Sequence, residues 1–141
     1  VAHLALEIVD RSVASAVQTR LTPVPRVHAD GGLLCHALVN VLCNAGDAIR
    51  EQPDGQIVLS TWTSDTQVGL SVQDSGPGID PAHATDIFRA FFTTKPAGSG
   101  AGLGLTVAAD ILRSHHGELR LAAGGEGTTM ELALPRRGRT G

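Results

Sequence analysis

The sequence predicts a two-layer α/β sandwich, in which a mixed, mainly antiparallel sheet carries its helices on one face. Segments with a helical spacing of apolar residues are interspersed with segments in which every second residue is apolar. Two pairs of these strand-like segments are joined by short turns, which is typical of antiparallel hairpins and argues against a doubly wound parallel sheet. With 141 residues, 42% of them hydrophobic, the chain suits one domain.

The first 20 residues predict an N-terminal helix, because apolar residues recur at every third or fourth position. Pro23 follows this segment, and proline cannot continue a helix. Residues 24–28 then predict a short edge strand, where a missing backbone donor is tolerated. Asp30 is the expected N-cap of a second helix over residues 31–50.

Residues 56–63 and 67–73 predict a hairpin with a turn at residues 64–66, because apolar and polar residues alternate in its second strand. Asp74 is expected just past the end of that strand. Between residues 89 and 102, glycines and a proline interrupt any regular spacing, which predicts a long mobile loop.

The C-terminal third predicts one helix and a second hairpin. Residues 103–116 return to a helical spacing, and Gly117 is the expected stop signal. Residues 118–123 and 128–134 predict paired strands around a glycine-rich turn. Residues 136–141 predict a flexible tail.

Composition and charge disfavour several classes of protein. The formal net charge of -3 gives no electrostatic basis for binding nucleic acid or an anionic membrane surface. No apolar run reaches the ~20 residues that span a bilayer, so no direct membrane contact is expected. Cys35 and Cys43 lie about 12 Å apart on one predicted helix, beyond disulfide reach, which favours a reducing cytoplasm. The histidines and cysteines do not cluster at zinc-site spacing, and no structural metal is expected.

The helix over residues 31–50 has two opposite faces at 100° per residue. One face is apolar, and the other carries His36, Asn40, Asn44 and Asp47. Two amides and a carboxylate on one face suit the coordination of Mg²⁺ and phosphate by oxygen. The same pattern also fits an ordinary amphipathic surface helix, and the helix alone leaves both interpretations open.

Two glycine-rich segments have a similar ambiguity. Asp74, Gly76 and Gly78 fit a plain turn, or a carboxylate that accepts a hydrogen bond from an adenine amino group beside backbone that can approach the flat base. Residues 98–104 fit a linker, yet they lead directly into a helix, where backbone N–H groups can face a phosphate. No Gly-Lys-Ser/Thr follows, so the segment is not a Walker A loop.

Five segments, in this order, resemble the N, G1, F, G2 and G3 boxes of the catalytic ATP-binding domain of bacterial sensor histidine kinases. They are residues 40–45, 74–79, 91–95, 100–105 and 125–129. The resemblance covers roughly residues 24–135, and Phe91-Phe92-Thr93-Thr94-Lys95 is most similar to the nitrogen-regulatory type. It implies the Bergerat ATP-binding fold, shared with DNA gyrase B, the large heat-shock chaperones and MutL, with residues 1–141 as one catalytic domain.

The resemblance implies the site residues and the cofactors ATP and Mg²⁺. Asn40, Asn44 and Lys95 are the implied catalytic residues, with Asn44 as the Mg²⁺ ligand. Lys95 is the candidate replacement for a phosphate-contacting lysine that many histidine kinases carry where this chain has Asp47. The implied nucleotide-binding residues are Asn44, Asp47, Asp74, Gly76, Gly78, Ile79, Thr94, Lys95, Gly100, Gly102, Leu103, Gly104, Leu105 and Thr128. Thr129, next to Thr128, is a further candidate at the adenine end.

The resemblance also implies an activity. The gyrase, chaperone and MutL branches carry a glutamate at the position of Asn40 as a general base, and an amide cannot take up a proton. Transfer of the γ-phosphoryl group to a protein side chain is therefore favoured over hydrolysis. Residues 89–102 resemble the ATP lid of these kinases.

The implied partners are a separate dimerisation domain that presents the acceptor histidine and, downstream, a response regulator. The docking face for the dimerisation domain is expected near Phe88, Phe91 and Phe92. The implied location is cytoplasmic, and the membrane anchoring of the full-length protein is left open. Two alternatives stay open: a serine-directed kinase of the anti-sigma type, which Asn40 disfavours, and a nucleotide-binding regulatory module without catalysis.

Overall fold

A computed structural model describes residues 2–9, 15–23, 29–76, 104–122 and 127–136. The helices and strands in this part of the chain are α1 (Ala2–Ile8), β1 (Val17–Arg20), α2 (Gly31–Ala48), β2 (Ile57–Thr63), β3 (Gln67–Asp74), α3 (Gly104–Ser114), β4 (Glu118–Leu121) and β5 (Thr128–Pro135). None of these helices is long and apolar enough to cross a bilayer.

The strands form one mixed sheet in the order β1-β2-β3-β5-β4. β1 runs parallel to β2, and the other neighbouring pairs are antiparallel. Both predicted hairpins are present, and in the first the Ser64 N–H donates to the Gln67 carbonyl at 2.8 Å to close the turn. The predicted mixed, mainly antiparallel sheet is therefore confirmed.

The helices described here pack on one face of the sheet and form a single core with it. α2 contacts α1, α3, β3 and β5, so it is the central helix of this layer. The largest fully buried side chains are Leu38, Val41 and Leu42 of α2, Ile57 and Leu59 of β2, Val72 of β3 and Leu112 of α3. Because every second residue of each central strand enters this core, the alternation read in the sequence sets which face of the sheet meets the helices.

The prediction of one helix through residue 20 is wrong at its C-terminal end. α1 ends at Ile8, and β1 pairs in parallel with Ile57–Ser60 at the edge of the sheet. Val17 and Thr19 are β-branched and suit an extended chain, so pairing with β2 overrides the helical spacing. The edge strand predicted at residues 24–28 lies outside the described residues.

Asp30 caps α2 as predicted. Its Oδ1 accepts a hydrogen bond from the Leu33 N–H at 3.0 Å, and its carbonyl accepts from the Leu34 N–H at 2.9 Å. The helix ends at Ala48, two residues before the predicted end, because the Arg50 N–H turns back to the Asp47 carbonyl at 3.3 Å. The tighter i to i+3 bond marks the end of regular α geometry.

The end of α3 differs in detail from the prediction. The helix stops at Ser114, and the left-handed residue that ends it is His116, with φ of 63°, followed by Gly117. The Gly117 N–H bonds to the Leu112 carbonyl at 2.8 Å and the His116 N–H to the Arg113 carbonyl at 3.0 Å, which is a Schellman motif. Glycine is needed at 117 for another reason, since a Cβ there would overlap the Ala133 carbonyl oxygen of β5.

The predicted flexible tail is wrong at its first residue. The Arg136 N–H donates to the Thr66 carbonyl at 2.8 Å, and its guanidinium donates to the Ser64 carbonyl at 3.0 Å. These bonds attach the end of β5 to the turn of the first hairpin. Residues 137–141 lie outside the described part of the chain.

Candidate functional site

The candidate site is centred on Asp74, the last residue of β3 and not, as predicted, the residue after it. Asp74 is paired with Ile57 on one side and with Thr128 on the other, and it is 4% exposed. Its Oδ1 accepts hydrogen bonds from the Gly76 N–H at 2.9 Å and from the Thr128 N–H at 3.3 Å. A carboxylate is thus held between the ends of two strands.

Burial raises the pKa of the Asp74 carboxyl above its ordinary value, and the hydrogen bonds from Gly76 and Thr128 offset part of that rise. Oδ1 accepts both of these hydrogen bonds, and Oδ2 accepts neither of the two. A further N–H donor would stabilise the charged form in this buried position. The site is therefore suited to a ligand that offers a hydrogen-bond donor.

Two glycines allow three segments of backbone to meet at Asp74. A Cβ at Gly76 would lie 2.9 Å from the Ala48 carbonyl oxygen at the end of α2. Gly127 has φ of 73°, and a Cβ there would overlap the carbonyl oxygen of Asp74. Side chains at these two positions would separate the end of α2, the end of β3 and the start of β5.

Thr128 and Thr129 face opposite sides of the sheet, because successive strand residues alternate. Thr128 is 6% exposed and lies on the same face as Asp74, its partner in the register. Thr129 is paired with Gln73. Of these two predicted candidates, the fold brings only Thr128 to the face that carries Asp74.

The predicted polar face belongs to α2, the helix whose C-terminal end meets Gly76. Asn40, Asn44 and Asp47 are each half-buried on this helix. Asn40 lies next to the first residue of α3, since a Cβ added to Gly104 would be 3.9 Å from the Asn40 Cβ. The start of α3 therefore lies beside the predicted catalytic amide, and the N-terminus of a helix carries a partial positive charge.

Asp47 makes an ion pair that the sequence reasoning did not anticipate. The Arg50 Nη2 donates to Asp47 Oδ1 at 2.6 Å, and the guanidinium is largely exposed. The spacing of three residues across the C-terminal end of α2 was the available signal. A cation is thus held beside the one carboxylate on the predicted phosphate-binding face.

Sequence reasoning also missed Ser75, Gln52 and Gln56. Ser75 lies within the Asp74–Gly76 segment, and hydrogen bonds connect it to the two glutamines between α2 and β2. In the sequence these three residues stand out only as polar residues beside a turn, and that pattern does not reveal a contact between distant segments.

Of the other predicted nucleotide-binding residues, the structure describes Leu105, which is half-buried in the first turn of α3 and packs against the core. The predictions for the following residues lie outside the described part of the chain: Gly78, Ile79, Phe88, Phe91, Phe92, Thr94, Lys95, Gly100, Gly102 and Leu103. The predicted lid over residues 89–102 also lies there.

Residues 29–138 match the protein-family model described as "Histidine kinase-, DNA gyrase B-, and HSP90-like ATPase". The signal transduction histidine-protein kinase AtoS of Escherichia coli K12 is 42% identical over 123 residues, which is 86% of this chain and 19% of AtoS. The chain therefore spans about a fifth of the length of that relative.

Solved structures agree with this match. The mycobacterial sensor histidine kinase MprB superposes with a TM-score of 0.74 at 30% identity, covering 96% of this chain and 95% of that one. Full-length ShkA in complex with AMPPNP gives a TM-score of 0.69 at 28% identity, covering 92% of this chain and 27% of ShkA. The predicted fold class and the predicted resemblance are both confirmed.

Proposed function

Because the chain belongs to the family of histidine kinase-, DNA gyrase B- and HSP90-like ATPases, we propose that it binds ATP with Mg²⁺ and donates the γ-phosphoryl group to a histidine on a separate dimerisation domain. The observation that carries this proposal is the buried Asp74 carboxylate, held by Gly76 and Thr128 where α2, β3 and β5 meet. The phosphoryl group would pass on to a response regulator.

Adenine recognition is the first part of the proposal. The amino group of adenine offers the hydrogen-bond donor that suits the buried carboxylate of Asp74, and Thr128 lies on the same face. A hydrogen bond to a charged group contributes about 1.5 to 3 kcal/mol. The structural likeness to ShkA, solved with AMPPNP, also favours an adenine nucleotide as the ligand.

The triphosphate would lie along the polar face of α2, towards the N-terminus of α3 at Gly104. Amide and carboxylate oxygens are the donors that Mg²⁺ takes in proteins, so the set of Asn40, Asn44 and Asp47 fits this ion. Asn44 would hold the metal, and Asn40 would support the phosphate end. When bound, Mg²⁺ neutralises phosphate charge, and the backbone N–H groups at the start of α3 add a partial positive charge.

Transfer to a side chain is favoured over hydrolysis because of Asn40. This half-buried amide faces the start of α3 and cannot act as a general base toward water. Catalysis would then depend on positioning and on charge neutralisation. Lys95 is proposed as a further phosphate contact, residues 89–102 as the lid, and Phe88, Phe91 and Phe92 as the docking face for the dimerisation domain.

The proposed location is the cytoplasm. In the described part of the chain neither Cys35 nor Cys43 forms a disulfide, which fits a reducing compartment.

The test has two stages. First, calorimetry with the purified chain should detect ATP binding in the presence of Mg²⁺, and a folded chain that binds no ATP would contradict the proposal. Second, adding a histidine-containing dimerisation domain from a relative such as AtoS should give a phosphoprotein that is acid-labile and alkali-stable. Asn44→Ala should abolish this label, and an acid-stable phosphoserine product would instead favour a serine-directed kinase.

A further inference from the structure

Ser75 makes three hydrogen bonds to the connection between α2 and β2. Its N–H donates to the Gln56 carbonyl at 3.0 Å, and its Oγ accepts from the Gln56 N–H at 2.9 Å. Its hydroxyl proton goes to Gln52 Oε1 at 3.1 Å. A serine hydroxyl has one proton, and an amide oxygen can only accept, so the Ser75 hydroxyl donates to Gln52 Oε1.

The two neighbours of Ser75 form the proposed adenine contact. Asp74 carries the carboxylate, and Gly76 donates its N–H to that carboxylate at 2.9 Å. Because all three residues are consecutive, a shift of the Ser75 backbone would move Asp74 and Gly76 together. The hydrogen bonds of Ser75 therefore act on the orientation of the base-binding groups without a contact to the base.

The connection to which Ser75 is attached is itself braced. The Gln52 N–H donates to the Ile49 carbonyl at 2.9 Å, and the Gly55 N–H donates to the Gln52 carbonyl at 3.2 Å. A Cβ at Gly55 would lie 2.6 Å from the Ile49 Cβ, so the turn closes tightly on the end of α2. Ser75 is thus tied to a compact turn.

These hydrogen bonds contribute to local geometry more than to global stability. Ser75, Gln52 and Gln56 are exposed, and water can replace an exposed hydrogen bond at small net cost. The position of a recognition group is more sensitive, since a carboxylate must meet the donor on the base within a narrow range of distance and angle.

We propose that Ser75 and Gln52 are positioning residues for the nucleobase, which hold Asp74 and Gly76 in the orientation that prefers adenine to guanine. This inference rests on the proposed ATP-binding function. Guanine carries a carbonyl oxygen where adenine carries its amino group, so a fixed carboxylate at Asp74 attracts one base and repels the other. If the Asp74 carboxylate is held less firmly, it discriminates less between adenine and guanine.

The experiment measures the dissociation constants of ATP and GTP by calorimetry with Mg²⁺, together with the thermal midpoint, for the whole 141-residue chain. Ser75→Ala should weaken ATP binding about threefold to tenfold and lower the preference for ATP over GTP. Ser75→Thr keeps the hydroxyl and should restore both. Gln52→Ala should give a smaller effect, and the double variant should be no worse than Ser75→Ala, because both changes remove the same hydrogen bond.

Ser64→Ala is the matched control. Ser64 is also an exposed serine, and its Oγ accepts the Gln67 N–H at 3.0 Å at the other end of the same hairpin. Its removal should leave both nucleotide affinities unchanged. If wild type binds ATP and Ser75→Ala has the same affinity and the same ATP preference, the inference is overturned.

Two further outcomes are decisive. Equal weakening of ATP and GTP that Ser75→Thr does not rescue would mean a structural role and would also overturn the inference. A folded wild type that binds no ATP would instead refute the proposed function, so the two failures are distinguishable.

Discussion

The imidazole of His115 accepts a hydrogen bond at Nε2 from the backbone N–H of Asp30, at 3.0 Å. Its Nδ1 must donate to the Ile111 carbonyl at 2.8 Å, because a carbonyl oxygen can only accept. The His115 ring thus joins the end of α3 to the N-cap of α2. α2 and α3 are antiparallel, and at the other end of α3 Gly104 lies beside Asn40 of α2. The contact of His115 with Asp30 and that of Gly104 with Asn40 together set how the start of α3 faces the polar side of α2.

His115→Phe should therefore lower the free energy of unfolding by about 1 kcal/mol, because it removes the hydrogen bond to the Asp30 N–H and the part-buried hydrogen bond to the Ile111 carbonyl. Urea denaturation followed by circular dichroism measures this change. His116→Asn is the control, since His116 is exposed and has the left-handed backbone that asparagine tolerates. Equal losses in the two variants would show that the bond to Asp30 contributes nothing specific.

Asp74→Asn should weaken ATP binding at least about tenfold, equivalent to about 1.4 kcal/mol. Asparagine can still accept the Gly76 and Thr128 N–H bonds through its oxygen, but it loses the negative charge offered to the adenine amino group. Calorimetry measures the affinity. Asp65→Asn, an exposed carboxylate in the turn at the other end of the hairpin, is the control and should bind ATP like wild type. If folded Asp74→Asn bound ATP with unchanged affinity, Asp74 would not be part of the adenine-binding site.

The raised pKa of Asp74 predicts a pH dependence of stability. The folded state holds the proton more tightly than the unfolded state, whose carboxyl titrates near 3.8. The contribution of this group to stability is therefore fully present below about 3.8 and is lost as the pH rises through the folded-state pKa.

Asp74→Asn has no proton to lose, so wild type should become less stable relative to this variant as the pH is raised from that acidic range towards neutrality. Urea denaturation of both proteins across a pH series measures the difference. A difference that does not change with pH, or one that changes in favour of wild type, would contradict the burial of a carboxyl with a raised pKa.

Gly127→Ala should destabilise the fold by at least about 2 kcal/mol, because the backbone is left-handed there and the Cβ would overlap the Asp74 carbonyl oxygen. Chemical denaturation measures the loss. Gly31→Ala is the matched control, since a Cβ at Gly31 meets no atom within 4 Å and the residue begins α2. This change should leave stability unchanged or raise it by up to about 1 kcal/mol. Similar losses at the two glycines would refute the close approach at Gly127.

Asn40→Glu should raise the rate of ATP hydrolysis without improving phosphoryl transfer, because it introduces a carboxylate base beside the start of α3. Release of inorganic phosphate and labelling of an added dimerisation domain measure the two reactions. Rapid hydrolysis by the unmodified chain would contradict the role proposed for Asn40.

Elements whose pattern is local could be predicted from the amino-acid sequence. Alternation in β3 and β5 reports which side of each strand is buried, and the opposite faces of α2 report which side meets the core. Asp30 could be assigned as a cap because a cap depends on residues within one turn. The order of five short boxes predicts Asp74, Asn40 and Asn44 as site residues through resemblance, since each box is a contiguous segment.

Contacts between distant segments became visible only in the folded structure. Val17–Arg20 is a strand because β2 offers it a parallel partner 40 positions along the chain, and spacing within the segment cannot show this. The contacts of His115 with Asp30 and of Ser75 with Gln52 also join separate elements. A hydrogen bond or a backbone contact of this kind depends on how the elements pack together, and the local pattern of either segment carries no record of the other.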